Sequence, residues 1–319
     1  MQFPPELARG IEELSREIPA AELARASAEL TSEYRGERKR RPQLDKLHHA
    51  AYLFSRLPAT YAVLTRVFRE VKERIPVLQI ESMLDLGSGP GTAMWAAVEQ
   101  FPKLKKVVLV EDVPEWIAIG KQLARYSELK LVRSAEWRQG SVIEQLPSGR
   151  FDLVTISYVM NELRLADVIT LARTAWNCVG TVLAIIEPGT PAGFERIRQV
   201  RRELIEQGGH ILAPCPHDGE CPMAAGNWCH FGQRLERSST HRHAKSAMLG
   251  YEDEKYSYVA VSREPIALPM ARILRHPHKH SGHLEFELCT PQGLKTETIS
   301  KKQGPKYKDA RKKVWGDAI

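Results

Sequence analysis

The sequence predicts an α/β protein: a Rossmann-like parallel sheet preceded by a helical domain and followed by a cysteine-rich, metal-binding insertion. Three observations carry this expectation. After Pro76 short apolar runs alternate with longer amphipathic ones, the pattern of a parallel sheet covered by helices. A glycine-rich turn, Asp85-Leu-Gly-Ser-Gly-Pro-Gly-Thr92, follows the first of those runs. Cys215, Cys221 and Cys229 then lie among proline and glycine turns, with Cys289 sixty residues further on.

Taken in order, Leu7, Ile11, Leu14 and Ile18, and then Leu47, Ala51, Phe54 and Leu57, recur at helical spacing. Residues 1–78 are therefore expected to form an N-terminal helical domain, interrupted by an exposed basic loop, Arg35-Gly-Glu-Arg-Lys-Arg-Arg41, that Pro42 closes. Residues 79–208 read as the cofactor-binding core. Its strands are expected at Ser82–Leu86, Lys106–Glu111, Phe151–Ser157 and Thr181–Glu187, with helices after Thr92, Pro114, Asn161 and Gly193. A further short strand is expected at Leu129–Arg133, and Cys178 is expected mid-helix as a buried structural thiol. Residues 209–250 form the cysteine-rich insertion, and a loop this long without regular structure needs a reason such as a bound metal. Residues 251–300 should supply strands at Tyr256–Val261, His283–Cys289 and Lys295–Ser300 that complete the core and carry the fourth cysteine, leaving 301–319 as a basic tail.

The glycines Gly87, Gly89 and Gly91 let the chain turn sharply from strand into helix and let a ligand approach the backbone where no Cβ intervenes. A dinucleotide fingerprint would place glycine at position 92, where Thr92 stands, and a phosphate loop would need Gly-Lys-Ser/Thr. S-adenosylmethionine is the better ligand: its carboxylate would meet the free amides at the start of the following helix, and Asp85 would face its cationic half. Glu111, ending the second strand, is placed to accept hydrogen bonds from the ribose hydroxyls, with Asp112 as its competitor. Ser88, Thr92, Ser141 and Ser157 complete the candidate cofactor contacts. No catalytic residue is legible: the fourth strand ends in Ser157-Tyr158-Val159-Met160-Asn161-Glu162, neither an Asn-Pro-Pro-Tyr type motif nor a Pro-Cys nucleophile.

The cysteine spacing, C-x5-C-x7-C with a distant fourth, contains no pair at the two to four intervening residues usual for structural zinc. The C-x2-C-x2-C run of small ferredoxins is absent as well. Spacing leaves the metal open between zinc and an iron-sulfur cluster, and His217, His230, His241 and His243 lie close enough in sequence to replace a thiolate in a zinc site.

Composition narrows the class. The five cysteines are an odd number for a disulfide scaffold, and a chain of 319 residues needs no such staples. No apolar run reaches membrane-spanning length. Glu6, Glu12, Glu13, Glu17, Glu22 and Glu29 suit neither a secretory signal nor a transit peptide, so a cytoplasmic, monomeric protein is expected. The net charge is +7, and the segment Lys295 to Lys313 holds eight Lys or Arg against Glu297 and Asp309. With Arg234, Arg237, Arg242 and Lys245 beside the cysteines, this suits contacts to phosphates.

The turn at Asp85–Thr92, Arg56-Leu-Pro-Ala-Thr-Tyr61, Glu187-Pro-Gly-Thr-Pro191, the stretch from Cys215-Pro-His through Trp228-Cys-His-Phe-Gly-Gln-Arg234, and Lys313-Val-Trp-Gly-Asp317 together resemble one family. It is that of the methyltransferase-like proteins of the mitochondrial small ribosomal subunit and their bacterial relatives. The resemblance runs from about residue 40 onward, and the cysteine segment is its most specific part. It implies a class I methyltransferase fold, binding of small-subunit ribosomal RNA during assembly, and a four-iron, four-sulfur cluster on Cys215, Cys221, Cys229 and Cys289. Two functions are then expected to compete: an S-adenosylmethionine-dependent methyltransferase of that RNA, and a noncatalytic assembly factor that uses cofactor and cluster as structural or sensing elements.

Overall fold

The computed structural model describes residues 3–34, 45–75, 79–144, 146–236 and 251–319. The basic loop Arg35–Arg41 with Pro42, the boundary at Pro76, and Arg237, His241, Arg242, His243 and Lys245 lie outside the described residues.

Four helices open the chain: α1 (Pro5–Ser15), α2 (Ala20–Tyr34), α3 (Lys46–Ser55) and α4 (Leu57–Arg74). The core follows as β1 (Ser82–Leu86), α5 (Thr92–Gln100), β2 (Lys106–Glu111), α6 (Pro114–Ala124), α7 (Lys130–Arg133), β3 (Glu136–Gln139), β4 (Phe151–Ser157), α8 (Leu165–Asn177), β5 (Val179–Pro188) and α9 (Pro191–Glu206). Then come β6 (His210–Ala213), β7 (Phe231–Glu236) and β8 (Tyr251–Ser262). The strand order is β3-β2-β1-β4-β5-β8-β6, with β7 also on β8. Strands β1 to β5 run parallel, and β8 is antiparallel to β5. This is the Rossmann-like sheet expected from the sequence.

Side chains alternate across a strand, which sorts the core into two layers. Met83, Leu109 and Leu153 face one side with α4, α5 and α6, whereas Leu84, Val108 and Val154 face the other with α8 and α9. The helices start where local chemistry starts them. Thr190 caps α9 by accepting the Gly193 amide at 3.1 Å, with Pro191 in the first turn, and Asp45 caps α3 through the His48 amide at 3.0 Å.

The edge of β8 changes partner along its length. Ala213 of β6 pairs with Ala260, and Phe231 of β7 pairs with Tyr256, so residues 214–230 leave and rejoin the same strand edge. A smaller antiparallel sheet follows, built from β9 (Arg272–Ile273), β10 (His278–Lys279), β11 (His283–Thr290) and β12 (Gly293–Ser300). Helix α10 (Pro305–Ala310) buries Tyr307 and Ala310 against it and leaves Lys301, Lys302, Lys306, Lys308, Arg311 and Lys312 exposed. The last residue returns to this sheet, where the amides of Ala271 and Ile319 donate to each other's carbonyls at 3.1 and 2.9 Å.

Three expectations are corrected. The strands at His283–Cys289 and Lys295–Ser300 do not complete the core; only Tyr251–Ser262 joins its sheet, and the other two form the separate small one. Leu129–Arg133 is not a strand: Lys130–Arg133 is a single helical turn, and the strand is Glu136–Gln139. That strand is an edge paired only with β2, and its residues are largely exposed and polar, so it lacks the apolar run that marks the inner strands. Cys178 is buried but ends α8 instead of lying within it, its thiol facing the Pro147 carbonyl at 3.7 Å.

Arg272, only 1% exposed, joins these parts. Its guanidinium meets Glu70 of α4 at 2.6 and 3.2 Å and donates to the carbonyls of Pro214 at 2.8 Å and Gly316 at 2.7 Å. Breaking one side of such a buried pair costs about 3 to 5 kcal/mol because a charge is stranded. Arg272→Met should therefore lose roughly that much in denaturant unfolding, and Arg272→Met with Glu70→Leu distinctly less. Equal losses in the single and double variants would show that the ion pair is not the source.

Candidate functional site

The predicted cofactor residues gather at the carboxyl ends of β1, β2 and β4, beside the point where strand order reverses between β1 and β4. Open parallel sheets bind ligands at that position. The turn after β1 is held by the amides of Gly87 and Ser88, which donate to the Val110 carbonyl at 2.9 and 3.0 Å. Gly87 has φ +70 and a Cβ there would collide with Val159, so a side chain is excluded on two counts. Gly89, at φ +53, faces open space instead. Gly91 begins α5 at φ +83 with no side-chain cap, so the helix presents its first amides unpaired by any capping side chain.

Around this turn lie buried polar atoms without a partner: Asp85 Oδ2, Ser88 Oγ and Thr92 Oγ1. The other oxygen of Asp85 accepts from Thr155 Oγ1 at 2.6 Å, and burial pushes its carboxyl up to about 7. Glu111 accepts from the amides of Gly89 at 2.7 Å and Val113 at 3.0 Å, which fixes it against the turn. Burial, then the adjacent Asp112, raises it to about 7. Ser141 lies beyond Gly140, whose amide donates to the Glu111 carbonyl at 3.0 Å, and its hydroxyl accepts from the Ile143 amide at 3.2 Å. Ser157 ends β4 opposite Ile186.

Sequence reasoning passed over several residues of this crevice. Tyr158 follows β4 at φ +60, an unusual conformation for a non-glycine residue, and its hydroxyl is buried without a hydrogen bond. Glu187, fully buried, accepts from the Met160 and Asn161 amides at 2.8 and 3.0 Å, and burial pushes it up to about 8. Trp137 lies under the turn, so that a Cβ on Gly120 would overlap its ring and one on Gly91 would approach to 3.0 Å. A glycine in the middle of α6 was the available signal.

The cysteines form a second site. Cys215 and Cys221 sit in the loop between β6 and β7, Cys229 just before β7 and Cys289 on β11, and all four line one pocket with Phe194, Met223 and Leu274 among its apolar walls. None is in a disulfide. The loop is held from several sides despite having no regular structure. Arg201 donates to the His217 carbonyl at 2.8 Å, Ser257 to the Cys229 carbonyl at 2.8 Å, and the indoles of Trp228 and Trp315 to the carbonyls of Gly189 at 3.0 Å and His230 at 3.1 Å. His217 stands 3.6 Å from the Cys289 sulfur, whereas His230 is sandwiched between Trp228 and Trp315. Burial first, then the neighbouring Cys215 and Cys221, pushes the Cys289 thiol up to about 12. Arg234 is paired with Asp253 at 2.8 Å.

Fold and cysteine segment belong to one stretch of chain that matches, over residues 46–319, the family described as mitochondrial small ribosomal subunit Rsm22. The chain belongs to the Rsm22 family. Among curated relatives it is 27% identical to the ribosome assembly protein METTL17, mitochondrial, of Homo sapiens, over 84% of this chain and 61% of that protein. It is also 27% identical to the Rsm22-cox11 tandem protein 2, mitochondrial, of Schizosaccharomyces pombe, over 84% of this chain and 42% of that one. The chain thus spans less than two thirds of the length of these Rsm22 relatives. A solved structure, the magnesium protoporphyrin IX methyltransferase of Synechocystis, aligns at TM-score 0.44 and 9% identity over 74% of this chain and 94% of that one. The cytoplasmic expectation is corrected: the family description and both relatives' names are mitochondrial. The acidic first thirty residues were too weak a basis for it.

The three raised carboxyls make a pH prediction. Between the unfolded values near 4 and the folded values of about 7 to 8, the unfolded chain ionises while the folded one stays protonated, so stability falls as pH rises. From pH 5 to 8 each of the three groups should cost the ligand-free protein roughly 2 to 4 kcal/mol, and Asp85→Asn should flatten the combined slope by about a third. An unchanged slope in the variant would place the proton elsewhere.

Proposed function

We propose that the protein is an S-adenosylmethionine-binding, metal-containing factor of small-subunit assembly that acts on ribosomal RNA, with methyl transfer as its activity. The observation that carries the cofactor is the cradle itself: Asp85 Oδ2, Ser88 Oγ and Thr92 Oγ1, buried and unpartnered, beside the open face of Gly89. Buried polar groups normally find partners, and a ligand with an ammonium group, a carboxylate and ribose hydroxyls offers them. Asp85 would hold the cationic end, the start of α5 the carboxylate, and Glu111 the ribose, with Ser141 and Ser157 at the margins. When bound, the cofactor supplies an activated methyl group. The names of the Rsm22 relatives support the small ribosomal subunit as partner, and the exposed lysines around α10 suit RNA phosphates.

For the metal, Cys215, Cys221, Cys229 and Cys289 fit a four-iron, four-sulfur cluster better than a single zinc. Four thiolates on one zinc stand about 3.8 Å apart. Among the described residues the one group of three or more ligand atoms within 4.8 Å of one another is His280, His283 and Glu285, and no such group contains the cysteines. Four thiols that share one pocket without forming so tight a group suit a polynuclear centre.

One observation favours the noncatalytic reading. Glu187, fully buried beyond the end of β4, accepts a backbone amide on each oxygen and so anchors the loop after that strand instead of facing a substrate.

Gly89→Val, strained at positive φ and filling the cradle, should abolish cofactor binding in calorimetry. In cells carrying it, a methylated nucleotide should disappear from small-subunit ribosomal RNA. Loss of binding with every methylated position retained would leave the noncatalytic reading, and unchanged binding would move the cofactor elsewhere. The metal has its own test: anaerobically purified protein should contain iron and absorb near 400 nm, as iron-sulfur centres do on the order of that wavelength. Replacing any of the four pocket cysteines by Ser should remove the band, and Cys178→Ser should not. Stoichiometric zinc without iron would refute the cluster.

A further inference from the structure

We infer that the hairpin of β10 and β11 is a metal site of its own, for a divalent transition cation of the zinc and nickel class, held by His280, His283 and Glu285. The inference rests neither on the cofactor nor on the cysteine pocket.

The backbone builds the site. His278 pairs with Glu285 and Lys279 with Leu284, and the His280 amide donates to the His283 carbonyl at 3.0 Å, so the turn is the two residues Ser281-Gly282. Side chains directly opposite in an antiparallel pair share a face, and residues two apart along a strand do so too. His278, His280, His283 and Glu285 therefore stand together on one side. The opposite side carries Leu284, Phe286 and Leu288, which are buried in the core of the small sheet. The metal-ligating side chains thus occupy its solvent face.

The spacing fits a small tetrahedral cation. One ligand atom from each of His280, His283 and Glu285 lies within 4.8 Å of the others. The Nε2 atoms of His283 and His280 stand 3.5 and 3.9 Å from the Glu285 oxygens. Ligands at about 2.0 to 2.2 Å in a tetrahedron are separated by about 3.3 to 3.6 Å, which the two nitrogen–carboxylate distances nearly match. The two imidazoles are stacked, with centroids 4.4 Å apart and planes 14° from parallel, so their in-plane lone pairs run side by side and at least one ring must turn for both to meet one ion. Two imidazoles and one carboxylate are a donor set for zinc, nickel or copper and a poor one for magnesium or calcium. Three protein ligands leave a fourth position, which His278 across from Glu285 or a water can take.

Zn²⁺ titrated by calorimetry into the full-length protein, its cysteine pocket as isolated, should show one equivalent bound in the micromolar range. The imidazole nitrogens of His280 and His283 should shift in long-range proton-nitrogen spectra. His280→Ala and His283→Ala should each weaken this equivalent by roughly tenfold or more, with Glu285→Gln acting in the same direction. His276→Ala should change nothing, since that ring packs on Trp315 away from the hairpin. Mg²⁺ should not compete. The site is half-exposed, so unaltered thermal unfolding will show that the variants remain folded. Retention of the full equivalent by the His280→Ala, His283→Ala double variant would assign the metal to the cysteines and overturn the inference, as would the absence of saturable binding.

Discussion

The buried ion pair between Arg272 and Glu70 is the constraint on which the arrangement of parts depends. A guanidinium taken out of water must satisfy its donors in a fixed plane, and here the acceptors come from α4, from the entry to the cysteine loop at Pro214 and from the closing turn at Gly316. Burial alone would favour the uncharged arginine, but the paired Glu70 carboxylate holds its charge in place. Such a pair adds little net stability over an apolar substitute. What it does is admit one geometry, in which three distant segments meet.

That geometry completes the cysteine pocket. Arg272 is the cross-strand partner of Cys289 in the pairing of β9 with β11, so the residue that anchors the small sheet to α4 also sets the position of the fourth thiol. The other three arrive differently. They lie on a loop whose two ends are pinned to successive stretches of the same strand edge, Ala213 on Ala260 and Phe231 on Tyr256. A long irregular segment is held by its ends, by side-chain donors to its carbonyls and by His230, stacked on Trp228 and edge-on to Trp315.

The parallel strands and the glycine turn were legible because each inner strand is largely buried and so reads as a mainly apolar run, interrupted only by residues such as Asp85, Asp152 and Thr155. Strand β3 was not, since an exposed edge needs no such run. Strand β6 is only four residues long and leads directly into Pro214, so its signal was lost in the irregular segment. The candidate cofactor residues could be proposed from their spacing, yet the packing of Val159 against Gly87 and of Trp137 against Gly91 could not. Those contacts join residues far apart in sequence and leave only indirect marks, such as a glycine inside α6. Likewise, nothing in the sequence around Arg272 or Glu70 distinguishes them from surface charges; only the fold places them in its interior. The histidines after Arg275 drew no reading from the sequence, because one-sided placement of their side chains depends on hairpin register, which spacing alone does not give.

Helix α9 joins the strand-end crevice to the cysteine pocket. Thr190 caps it directly after β5, and Arg196 on its second turn donates to the Met160 carbonyl at 3.0 Å, the residue whose amide is held by Glu187. From the same turns Phe194, Ile197 and Arg201 face the pocket of the four thiols, with Arg201 bound to the loop at His217. An α-helix is stiff over such a distance, and its side chains three and four residues apart cannot be repositioned independently. The loop after β4 and the wall of the cysteine pocket are therefore both tied to one rigid element, so the position of α9 is fixed by both at once.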